Sequence, residues 1–116
     1  MTQYLALTYT PDVDWTAPEQ AAEMQEYLRF GAENAAVISG GAALYPTSTA
    51  TVVRVKGARG GDVVTTDGPY AETKEALTGY YVLEAADLDH AVRIAAQLPA
   101  AWNGAVEIRP LVPPQG

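Results

Sequence analysis

The first apolar segment, Gln3-Tyr4-Leu5-Ala6-Leu7-Thr8-Tyr9, has little polar alternation and is ended by Pro11. It predicts a strand that is apolar on both faces and lies inside a covered sheet. At Thr16-Ala17-Pro18-Glu19 the spacing changes to that of a helix, with Thr16 as its cap, Glu19 bonding back to it and Pro18 in the first turn. Met24, Leu28, Gly31, Ala35 and Ile38 then form one stripe, so the helix is predicted to run to about Ile38 and to stop at Ser39-Gly40-Gly41. Glu19, Glu23, Glu26 and Glu33 occupy the opposite face. Phe30, the only Phe, falls in the middle of that acidic face. It reads either as a lone exposed aromatic or as a sign that something other than the sheet, such as a second subunit, covers the helix.

Farther along, a short strand is expected around Ala43-Leu44-Tyr45, ended by Pro46. Two β-branched runs, Thr51–Lys56 and Asp62–Thr66, flank Gly57-Ala58-Arg59-Gly60-Gly61 and predict a β-hairpin. Asp67-Gly68-Pro69 is a turn signal, and Gly79–Glu84 reads as a further strand. Asp87 opens a second helix with the stripe Leu88, Ala91, Val92, Ala95 and Leu98, ending before Pro99. Ala105–Arg109 is the last strand, and Pro110, Pro113 and Pro114 prevent further pairing.

This order is the βαββαβ of a ferredoxin-like α+β domain with an extra β-hairpin, in one domain spanning residues 1–116. Two helices cover one face of such a sheet. The other would expose alternates of Tyr4/Leu5, Tyr80/Tyr81 and Val106/Ile108, a patch that predicts a partner surface. Sheet-on-sheet pairing of two copies, a homodimer closing a dimeric α+β barrel, is the economical solution.

Composition narrows the function classes. The 116 residues include no Cys and one His, which removes disulfides, thiol catalysis, Cys-based zinc sites and multi-His metal sites; no cofactor is implied. Seven basic against fourteen acidic residues give a formal charge of −7, against nucleic-acid binding. No apolar run suits a membrane span, and Met1-Thr2-Gln3-Tyr4 is unlike a signal peptide, so a cytoplasmic location is expected.

Candidate chemistry gathers in Thr66-Asp67-Gly68-Pro69-Tyr70-Ala71-Glu72-Thr73-Lys74-Glu75. Its plain reading is a solvated turn in which Asp67 bonds its own backbone. Its functional reading is a pocket wall for a small-molecule ligand. Tyr70 would supply a ring and hydroxyl, Asp67 and Glu72 would be acids or bases, and Lys74 a charge partner. Arg54, Lys56, Glu107 and Arg109 alternate along strands, either lining a dimer cavity or pairing across neighbours. The hairpin glycines lack phosphate-loop spacing. Trp15 and Trp102 read as packing against element ends, with pocket lining as the alternative.

The run Val64–Tyr81, with Asp67-Gly68-Pro69-Tyr70 at its centre, resembles the signature of the DGPF branch of the YCII-related family. Tyr70 stands where that family usually has Phe. The resemblance extends through Gly40–Leu44, Thr51–Val55 and Pro99–Pro110. It implies a ferredoxin-like protomer in a dimeric α+β barrel. Some members carry a His–Asp pair in a cleft, but the first strand and first helix here contain no His. His90, three residues after Asp87, does not replace it. Asp67 matches the signature directly and is the leading catalytic candidate, with Tyr70, Glu72, Lys74 and Arg54 as binding candidates. The resemblance leaves two functional readings: a small-molecule binder or enzyme, and a transcription-linked module associated with an extracytoplasmic sigma factor. A purely structural dimer is the third.

Overall fold

Along β1 (Thr2–Thr10), Tyr4, Ala6, Thr8 and Thr10 are buried while Leu5, Leu7 and Tyr9 are half-buried. That alternation puts one face of the strand into the core and leaves the other open. The computed structural model describes residues 1–114. Its main sheet is antiparallel and ordered β2 (Ile38–Ala43), β5 (Ala76–Ala85), β1, β6 (Ala105–Pro110). The helices are α1 (Ala21–Glu33), α2 (Leu88–Ala95) and α3 (Pro99–Asn103). With the hairpin of β3 (Thr51–Lys56) and β4 (Asp62–Asp67) set aside, this mixed α+β arrangement is compatible with a ferredoxin-like fold. No helix among the described residues is long and apolar enough to cross a membrane.

The core lies on the helix side of the sheet. Tyr4, Ala6, Leu83 and Ala85 from the central strands meet Phe30, Ala91, Ile94, Ala95 and Leu98. Each fully buried large side chain stabilises the fold by about 1.5–3 kcal/mol. Val106 and Ile108 pack against this cluster from β6 and therefore belong to the helix side, not to the open face. The open face instead carries Leu5 opposite Val82 and Leu7 opposite Tyr80.

The first helix differs most from expectation. It begins at Ala21 after a single 3-10 turn (Pro18–Gln20) and ends at Glu33, not near Ile38. Thr16 does not cap it. Its amide and hydroxyl both donate to Asp14 Oδ1, at 2.9 and 2.6 Å. Asn34 stops α1 because its side-chain amide donates to the Phe30 carbonyl (3.0 Å) and to Gln97 Oε1 (3.0 Å). Ser39-Gly40-Gly41 therefore lies within β2 and does not end a helix, and the predicted strand at Ala43–Tyr45 moves back to Ile38–Ala43.

The helix is also rotated. Phe30 is 3% exposed and meets Tyr81 edge-on, with ring centroids 5.1 Å apart, while Leu28 is 61% exposed. Half-buried Met24 and Tyr27 complete the inward face with Phe30. Phe30 thus sits in this chain's own core and gives no support to a subunit covering the acidic face. In α2, Asp87 caps as predicted, accepting from the His90 amide at 2.8 Å. The inward residues are Ala91, Ile94 and Ala95, whereas Leu88 and Val92 are exposed. The second helix ends before Pro99 as expected, and Pro99 opens a further helix, α3, where a first-turn proline loses no intrahelical bond.

The predicted β3–β4 hairpin forms, with Val53 opposite Thr65 and Val55 opposite Val63. It is a separate two-stranded sheet that projects from the body. Its base is closed by the main chain, since the Gly68 amide donates to the Ala50 carbonyl at 2.8 Å. The projection makes the molecule flat and wide, 46 × 45 × 20 Å, with a radius of gyration of 16.3 Å. A compact chain of this length has a radius near 13 Å.

Candidate functional site

Where the arm joins the body, two segments face each other across a cleft. One runs from Leu44 through Tyr45, Pro46 and a 3-10 turn (Thr47–Thr49); the other is Pro69–Thr73. Pro46 ends the β2 pairing because it has no amide to donate, and Gly68, at φ +102°, redirects the chain after β4. Tyr9 and Leu77 join the two walls, and the cleft, open to solvent on one side, has a volume of about 710 Å³. That lies within the range of small-molecule pockets, about 300–1,000 Å³.

The structure brings some of the predicted residues together. Tyr70 and Glu72 line the cleft. Arg54, from β3, places its guanidinium 5.6 Å from the centre of the Tyr70 ring, a cation–π contact on the rim. Asp67 and Lys74 do not line it. Asp67 ends β4 with its backbone paired to Thr51, and Lys74 is exposed in the following loop. The turn at Asp67 is held by the Gly68–Ala50 backbone bond. Asp67 is thus at the arm's base, outside the cleft.

The opposite wall was not singled out from sequence. Tyr45, Thr47 and Thr49 belong to it, and the signal available was an aromatic-proline step followed by hydroxyl residues. This wall is latched to the body by Asp12. Its Oδ1 accepts from the Thr47 amide at 3.1 Å and its Oδ2 from the Thr47 hydroxyl at 2.5 Å. Those two bonds, the hydroxyl first, hold the Asp12 carboxyl below its ordinary range. A carboxyl depressed by folding keeps its contribution above the unfolded value and loses it as pH falls through the folded one. Acidification below about pH 4 should therefore release Thr47. The Thr47 amide proton resonance is expected to move to its unbonded position as pH falls, and to be there at every pH in Asp12→Ala.

A second cavity, about 210 Å³, lies under α1 between Trp15, Met24, Tyr27, Thr8 and Tyr81. It offers little to orient a ligand. The Thr8 and Thr78 hydroxyls lie 3.4 Å apart and Thr10 donates to Thr78 at 3.2 Å, so these groups satisfy one another. The Trp15 indole donates to the Thr78 carbonyl at 3.2 Å and its ring meets Tyr27 edge-on. The Tyr27 hydroxyl is sealed from solvent and has no hydrogen-bond partner among the described residues. Burial, then the nearby Glu23 carboxylate, pushes its ionisation well above the usual tyrosine range. Burial raises Tyr81 likewise. This is packing space around a neutral phenol, and the arm-base cleft is the better candidate site.

His90 is occupied structurally. Its Nδ1 accepts from the Ala86 amide at 3.0 Å, completing the cap at the start of α2. Trp102 donates to the Ala96 carbonyl at 2.9 Å, packing against a helix end as expected. On β6, Glu107 and Arg109 are 3.9 Å apart, a weak exposed pair. Among the described residues, no three acidic or histidine side chains converge as a metal site would require.

The model of the YCII-related domain matches residues 2–114 of this chain. An uncharacterised protein of Rhizobium meliloti is 42% identical over 72 residues, a stretch covering 60% of this chain and 56% of that protein. The chain thus spans little more than half the length of that relative.

Proposed function

Because this chain belongs to the YCII-related domain family, we propose that it is a cytoplasmic small-molecule binding protein that uses the arm-base cleft and works as a homodimer. The cleft carries the reading: about 710 Å³ walled by Tyr9, Tyr45 and Tyr70, with Glu72 and Thr hydroxyls as polar groups. Three tyrosines and two prolines favour a flat apolar body. The Glu72 carboxylate and the hydroxyls favour hydrogen-bond donors on that body, so small aromatic amines and alcohols are the ligand class. The run Asp67-Gly68-Pro69-Tyr70 supports assignment to the DGPF branch.

The dimer forms through the open face of the main sheet, where Leu5, Leu7, Tyr80 and Val82 line up in register. Joining two such faces closes a dimeric α+β barrel. Asp67 takes a structural part at the base of the arm, and Arg54 and Tyr70 form the rim of the site. Whether a bound molecule reacts turns on Glu72, the one carboxylate in the cleft wall.

The test is saturation-transfer NMR with a panel of small aromatic amines and alcohols, run on the native chain, Tyr70→Ala and Asp67→Ala. Transfer to one or more compounds is expected with the native chain and Asp67→Ala, and at least tenfold weaker binding with Tyr70→Ala. Tyr70 is 81% exposed, so its removal leaves stability nearly unchanged. Equal binding by Tyr70→Ala, or transfer to none of the panel, would reject the cleft as the site.

A further inference from the structure

Arg54 is the one cation among the described residues that the fold holds against an aromatic wall of the arm-base cleft. β3 alternates, so Val52, Arg54 and Lys56 share one face of the hairpin, and the Arg54 guanidinium meets the Tyr70 ring at 5.6 Å. That contact uses the charge but none of the guanidinium N–H donors. No acid among the described residues takes them. Across the hairpin Lys56 stands opposite Asp62, whereas Arg54 stands opposite Val64. The ion pairs that do form, Arg29–Glu33 and Arg109–Glu107, leave Arg54 out. With fourteen acidic residues in the chain, this guanidinium rests on a ring and keeps its donors open beside the cleft.

The charges around the tyrosines then define a ligand. Glu72 lines the cleft and accepts hydrogen bonds from an amine or a hydroxyl. It also repels a carboxylate, as does the whole chain at a formal −7, so an acidic group binds only where a cation offsets both. Arg54 supplies that cation at the rim, and its planar fork matches the two oxygens of a carboxylate. Contact with Tyr70 restricts the long side chain beforehand, so less freedom is lost on binding. We infer, on the reading of the cleft as a small-molecule site, that Arg54 selects for a carboxylate. The ligand is a small aromatic amine or alcohol that also carries an acid group. Its ring lies among Tyr9, Tyr45 and Tyr70, its N–H or O–H faces Glu72, and its carboxylate sits on the Arg54 guanidinium.

Matched probes test it. 4-Aminobenzoate and 4-hydroxyphenylacetate, each alongside its methyl ester, are titrated by calorimetry at low salt into the native chain, Arg54→Met and Arg54→Lys. Arg54 is exposed, so both variants should fold as the native chain does. The native chain should bind at least one acid about tenfold or more tighter than its ester, which keeps the ring and the donor but not the charge. Arg54→Met should bring acid and ester within about twofold, and Arg54→Lys should keep part of the preference, having the charge without the fork. If Arg54 only held Tyr70 in place, its loss would weaken acid and ester together and leave their ratio intact. That result would overturn the inference. Esters that bind the native chain as tightly as the acids would overturn it too, and in both cases the cleft would stand as a small-molecule site. Binding of none of the four probes would also overturn it; transfer to the uncharged amines and alcohols then shows whether the cleft itself falls with it.

Discussion

Phe30→Ala is expected to destabilise the chain by about 3–5 kcal/mol, enough to leave a domain of this size barely folded. The ring is the only fully buried side chain of α1, and it joins that helix to Tyr81 on β5 and to Ile94 and Leu98 around α2. Removing it takes away the transfer energy of an aromatic side chain, leaves a cavity the neighbours cannot fill, and loses an edge-to-face contact of about 0.5–1.5 kcal/mol. Phe30→Leu, which keeps most of the volume, should cost well under half as much. Urea unfolding of both variants measures this directly. A loss below about 1 kcal/mol for Phe30→Ala would mean that the ring is not in the core. If the loss appeared only as weaker self-association, the ring would belong to an interface.

The second large effect is expected at Gly104, between α3 and β6. A Cβ there would lie 2.1 Å from the Tyr9 carbonyl oxygen and 3.0 Å from a Glu75 carboxylate oxygen. The backbone there lies at φ −158° and ψ −122°, and a side chain would run directly into main chain. Tyr9 pairs with Ala105, so relief requires parting β6 from β1 where they first meet. Gly104→Ala should therefore cost about 3 kcal/mol, at the upper end of overpacking effects, and should unzip β6 first. Thermal unfolding gives the size of the loss, and exchange of the Val106–Arg109 amides gives its place. A melting temperature within 2 °C of the native value would show that the crowding is relieved without cost.

The hairpin and most of the strands could be read from the sequence because β-branched or apolar runs bounded by glycine and proline carry their own local signal, whereas the short strand expected at Ala43–Tyr45 lies at Ile38–Ala43. The ends and rotation of α1 could not, for two physical reasons. Apolar residues occur on more than one side of this helix, so a stripe through Leu28 fits the periodicity as well as one through Tyr27 and Phe30. Only the sheet decides between them, since Tyr81 offers a ring for Phe30 to meet. The helix stop lay in Asn34, whose amide caps Phe30 and reaches Gln97 in the turn after α2, a tertiary bond with no local sequence period. Pro99 marked the end of the second helix correctly, but not the short helix α3 that it opens, because proline both follows helices and starts them.

The cleft was half legible. Tyr70 and Glu72 fall in a polar run that stands out among apolar strands. Tyr45 and Thr47 face them only because Asp12, 35 residues before Thr47, pins the far wall. Asp67 shows the opposite limit: a matching signature locates a conspicuous residue, but side-chain placement decides whether it touches the cleft.

The arm leaves the body and returns to it at a single point, where Gly68 bonds to Ala50. Its length is therefore a ruler independent of the rest of the fold. Adding one residue to each strand would move the tip outward by about 3.4 Å and turn the alternating faces over; adding two to each would restore them about 6.8 Å farther out. Every strand of the main sheet would keep its neighbours. A lineage carrying this domain could thus retune how far its chains reach by inserting residues in pairs.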